Sequence, residues 1–285
     1  MLSSYMRLTF VRVASAGHLL YAIGFVGLGL LGFIFDDYAM NWQPVPPTFP
    51  AHDTLAYLSA LLLLVAGAGL LLRRFQLRCA VVLTVFIVVW LVTLRVPPLL
   101  ADFFSVMNWL GFAETLEMIT GGWILAATLV DGNTKFEASW IARPASVKLA
   151  ILLFGISLPL IGLSHVVYAK ETAQMIPEWF PQRLGLAYLT GAGHIAAGIA
   201  VLTNVLPRLA VAVEACMMGC FVLFLHIPGV ISAPTNRFQW TMLCVAITIT
   251  GAAAIVAHYL AKSPGELEPS RRSKPEVSVS NVVER

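Results

Sequence analysis

Glu114 and Glu117 stand three residues apart in an apolar stretch, so a helix through them carries both carboxyl groups on one face. Ionisable side chains are costly inside a membrane span and mark a partner, a wet cavity or a proton path. Two acids placed this way suit proton handling, with Arg95 as their counter-charge. The same residues also suit a plainer role, a Glu–Arg pair that locks two helices together. His194 and Glu214 pose a similar choice, since a mid-membrane histidine with a carboxyl group one helix away can relay protons or simply join the two helices by a hydrogen bond. Asp36, Asp37, His165, Tyr168 and His226 fall at the ends of apolar runs, on the same side as Arg95.

Other chemistries find little footing. The six histidines are scattered, with no HxxxH or ExxH on one helix, so no metal site is expected. None of the four cysteines forms a CxxC pair, and buried cysteine as a small hydrophobe accounts for Cys216 and Cys220. No phosphate-binding loop, dinucleotide fingerprint or nucleophile elbow occurs. The net charge of +3 comes from basic residues lying between the apolar runs rather than on one face, so nucleic acid is not an expected partner.

Composition names the solvent. The chain is 59% hydrophobic and 12% charged, with a mean hydropathy of +0.83, whereas soluble domains carry about 25% charged residues. The pattern predicts an all-α polytopic protein in the lipid bilayer with eight spans, near 10–35, 54–72, 77–96, 109–130, 147–168, 185–203, 208–227 and 238–261. The first run is too long for a signal peptide and has no small-residue cleavage site before Asp36, so it is expected to be retained. Fourteen of the eighteen Lys and Arg fall on one side of these spans, which predicts that both termini are cytoplasmic.

The spans are organised by duplication. Residues 43–58 align without a gap on 174–189 at an offset of 131, pairing among others Gln43 with Gln174, Pro50 with Pro181 and Tyr57 with Tyr188. The predicted order is a four-helix repeat over 1–130, a linker over 131–146, a second four-helix repeat over 147–262 and a disordered tail over 263–285. An even number of spans per copy gives both copies one orientation. The offset sets Arg95 against His226, Leu63 against His194, Leu83 against Glu214, and Glu114 and Glu117 against Val245 and Thr248. Each of these ionisable groups except Arg95 and His226 is thus special to one copy. Loops 36–53 and 169–184, rich in proline and aromatic residues, read as stiff lids over their own bundles, with Trp42, Phe49, Trp179 and Phe180 in the interfacial aromatic belt.

The segments GLSHVVYAKETAQMIPEWFP, LAYLTGAGHIAAGIAVL and LHIPG, followed by Gln239-Trp240, resemble the DoxX-like superfamily of four-helix membrane proteins. The resemblance covers about Gly162 to Ala261, and the first copy looks like a more diverged member. It departs from the single-bundle pattern in being a fused double unit, so the halves can form internally what relatives form by association. Members of the family include small membrane subunits of a thiosulfate:quinone oxidoreductase, and distant relatives act as cargo receptors in the secretory pathway. The resemblance implies a protein of the bacterial inner membrane, accessory to a quinone-linked redox process and working with redox-enzyme subunits. The pocket expected for it lies outward, under the proline loops, lined by Asp36, Asp37, Arg95, Glu114, Glu117, His165, Tyr168 and His226. Two other functions fit the composition, a non-catalytic scaffold or assembly factor and a small-solute transporter. The nearly all-apolar third span, Cys79–Leu94, weighs against a water-filled path.

Overall fold

In a bilayer interior each backbone N–H and C=O must find a partner within its own segment, and a helix does this at once. The computed structural model describes residues 15–130 and 140–262, and every element there is helical. Part of the expected linker (131–139) and the whole expected tail lie outside the described residues. The helices are α1 (Ala16–Ile34), α2 (His52–Leu70), α3 (Gln76–Trp90), α4 (Val96–Ala101), α5 (Val106–Leu129), α6 (Pro144–Val167), α7 (Ala169–Met175), α8 (Arg183–Leu202), α9 (Pro207–Phe221), α10 (Ile227–Ser232) and α11 (Arg237–Ala261).

Among the described residues, seven stretches are long and apolar enough to cross a membrane: α1, α2, Gln76–Ala101, α6, α8, Pro207–Ser232 and α11. This makes the chain a multi-pass helical membrane protein. The expected span 109–130 coincides with α5, whose 24 residues suffice in length but include Asn108, Glu114 and Glu117. That polarity is tolerated because α5 is sheltered by its neighbours, with an unbroken buried run from Thr115 to Gly122.

The 131-residue offset reappears in the backbone. It carries α3 onto α9, α4 onto α10, and the left-handed residue Ala51 before α2 (φ 55°) onto Gln182 before α8 (φ 54°). It also carries the indole bond Trp109 Nε1 to Phe103 O, 2.8 Å, onto Trp240 Nε1 to Pro234 O, 2.8 Å. Arg95 and His226 each end a five-residue π-helical turn, Leu91–Arg95 and Val222–His226, just ahead of Pro97 and Pro228. A proline lacks the N–H that would satisfy the carbonyl one turn back, and the wider turn absorbs that loss without ending the helix. Hence the third and seventh spans continue past their prolines to Ala101 and Ser232 rather than stopping at 96 and 227. Pro144, expected in the linker, instead opens α6, where a missing N–H costs nothing.

Helix neighbours follow the chain within each copy: α1 on α2, α2 on α3, α3 on α5, then α6 on α8, α8 on α9, α9 on α11. Two further pairings cross between copies, α1 along α11 and α5 along α6, and α5 also touches α11. The two sets of four therefore share walls, and the last long helix of each lies against the first of the other. Small residues allow the closest approach. A Cβ on Gly24 would stand 2.8 Å from Thr248 N and 2.9 Å from Cys244 O, while one on Gly251 would stand 2.8 Å from Tyr21 Cα and 2.9 Å from Gly17 O.

Candidate functional site

The exchange of α5 onto α6 determines where the carboxyl groups of the first copy point. A cavity of about 640 Å³ opens inside the second set of helices, at the end that carries the proline loops. Its walls come from α5, α6, α8, α9, α11 and the π turn after α9, its cover from α7 and the loop with Trp179 and Phe180. Most of the lining is Ile, Leu, Met and Phe, and its acidic and imidazole members are Glu114, His165, His194 and His226. At the positions that match His194 and Glu214 the first copy has buried Leu63 and Leu83.

Around the cavity runs a buried polar arc. His194 Nδ1 lies 2.8 Å from Glu214 Oε1, the two side chains being 0% and 1% exposed. The His165 ring is 5.0 Å from that of His194, and both rings lie near Phe221. His165 Nδ1 donates to the Ile161 carbonyl at 3.0 Å, which leaves Nε2 for another partner. Glu117, just behind the wall, lies within electrostatic reach of both Glu214 and Glu114. Neither Glu117 oxygen, nor Nε2 of His194, has a hydrogen-bond partner among the described residues. Glu114 sits between the Arg95 guanidinium and the Trp42 indole.

Arg95 does not line the cavity but fastens its rim. It donates to Asn41 O at 2.6 Å and Trp42 O at 3.2 Å, and its guanidinium covers Gly111 on α5, where a side chain would collide with it. Trp42 is thereby held at 5% exposure as part of the cavity wall. Its burial differs from the interfacial position expected from the sequence, whereas Trp179 is 65% exposed. The first loop thus reaches over the second set of helices rather than only its own.

Three expected site residues stand apart from the cavity. Asp36 accepts a hydrogen bond from Tyr57 Oη at 2.7 Å. Tyr168 is the capping residue between α6 and α7. Asp37 pairs with Arg237 Nη1 at 3.0 Å and lies 3.6 Å from His52, while the same guanidinium donates to Tyr38 O and stacks 5.6 Å above Phe35. Partial burial, and then the Asp37 carboxylate, push the Tyr38 phenol above its ordinary range. Arg237 gave no sequence signal beyond its place at the start of the last span, yet it ties the first loop to α11. Replacing it with alanine is expected to cost at most about 1 kcal/mol, because the pair is partly exposed. Hydrogen exchange should quicken in residues 36–43 and stay unchanged in α5.

No family model, curated protein or solved structure matches this chain.

Proposed function

We propose that the chain is a DoxX-like protein of a bacterial inner membrane, built as two fused four-helix units with eight crossings and both termini cytoplasmic. In this reading the cavity receives the head group of a lipophilic, proton-exchanging carrier of the quinone class, on behalf of a membrane redox enzyme that handles the electrons.

One observation carries the reading. Residues that the duplication leaves unmatched, Glu114 from one copy and His165 and His194 from the other, converge on one largely apolar cavity. About 640 Å³ falls within the ordinary range for small-molecule sites, roughly 300–1,000 Å³. An imidazole and a carboxylate on the cavity wall can accept the hydroxyl protons of a quinol and return them. Behind the wall Glu214, paired with the lining residue His194, and Glu117 offer further places for a proton inside the protein. Arg95 positions Glu114 and holds Trp42 in the wall rather than touching the ligand.

The test is equilibrium binding of a quinone to the purified protein in lipid nanodiscs. Wild type should bind saturably, and Glu114→Gln and His165→Ala should each weaken binding by about tenfold, the size of one hydrogen bond to a charged or strongly polar group. Asp36→Asn, at a residue remote from the cavity, should bind as wild type does. Unchanged binding in both cavity variants would remove the reading.

A further inference from the structure

We infer that the cavity is filled sideways from the bilayer, and that its ligand is an amphiphile whose long apolar tail stays in lipid while the head group lies inside. The inference rests on the proposed function and adds the route and the tail. Three polar lining residues are shut off from the surface, His194 at 0% exposure, His226 at 7% and Ser164 at 4%, while Glu114, His165, Thr172 and Thr190 are half-buried. The lining residues that reach the surface are Met175 at 45%, Trp179 at 65% and Phe224 at 42%.

These three form the mouth, between α7, the second proline loop and the π turn that follows α9. None of them is charged. A water-facing mouth would carry polar groups that shed the hydration of an incoming solute, whereas an apolar mouth that includes an exposed tryptophan matches acyl chains. Phe180 and Phe224 meet edge to face at 6.0 Å across it, a contact made by two side chains with no hydrogen bond to break. Behind the mouth, Met217, Met218 and Met242 give a lining that adapts its shape at little strain. The π turn places Phe224 at the mouth and His226 in the wall two residues later, so one irregular turn serves both ends of the ligand.

Binding of two probes to the full chain in nanodiscs tests this: a tail-free dimethoxy-methyl-benzoquinone and a long-tailed ubiquinone with the same head. Once corrected for partitioning into lipid, their affinities should agree within about threefold, since the tail never leaves the bilayer. Phe224→Trp, which adds bulk only at the mouth, should weaken the long-tailed probe by about tenfold and spare the tail-free one. Exclusion of the long-tailed probe while the tail-free one binds would overturn the inference but leave the proposed function standing. An equal effect of Phe224→Trp on both probes would also overturn it. If neither probe binds, the parent reading falls as well.

Discussion

Replacing His194 alone or Glu214 alone with leucine is expected to destabilise the protein by about 3–5 kcal/mol, and replacing both together by far less. The two groups meet at 2.8 Å with 0% and 1% exposure, so removing one strands the other at a buried position near Glu117. Stranding a buried polar partner is what makes single losses large, while exchange of a whole pair for well-packed apolar groups is often close to neutral. The first copy shows that leucine fits, because Leu63 and Leu83 occupy the matching positions at 1% and 0% exposure. Reversible unfolding in mixed micelles gives the four corners of the cycle, and strict additivity of the two losses would contradict the account. The double variant also separates glue from function. A pair that only joined helices would leave quinone binding intact, whereas the loss of cavity-lining His194 should weaken it.

The second large effect concerns the wall shared by the two sets of helices. Gly251→Ala should cost about 2–3 kcal/mol, because the added methyl group would meet the backbone of α1 at Tyr21 and Gly17 rather than the end of a movable side chain. Gly24→Ala should cost as much from the opposite side, meeting backbone at Thr248 and Cys244. Once the first substitution has pushed α1 from α11, the second finds room, so the double variant should lose less than the two losses added. Thermal unfolding of the three variants in one detergent measures this. Wild-type stability in either single variant would mean that α1 and α11 do not lie so close.

The membrane-embedded helical class was legible from composition, and element positions from the duplicated register. The pairing of α3 with α9 at an offset of 131 follows from Gln43/Gln174 and Pro97/Pro228 alone. The unmatched residues were also visible: a repeat shows where one copy keeps leucine and the other acquires histidine or glutamate. What the sequence does not carry is which helix packs against which. Glu114 and His165 share a cavity only because α5 lies on α6, and small residues that permit such an approach are spread over most of the helices. Asp36 and Asp37 looked like pocket residues from their place beside Arg95 at the same end. The side chains of Tyr57 and Arg237 engage them instead, and neither contact has a signature at the level of spacing. The π turns belong to the same class, since an Arg or His ahead of a Val/Ile-Pro pair reads as a helix end, not as a turn that widens and continues.

The central claim is that a quinone-type head group lies in the cavity of the second set of helices, against a wall supplied by the first. Photo-crosslinking with an azidoquinone in native-like membranes, followed by peptide mapping, tests it most directly. The account predicts labels within residues 161–180 and 217–226 and near Glu114, all suppressed by excess unlabelled quinone. Labels confined to α1, α2 or α3, or labelling that excess quinone does not reduce, would contradict it.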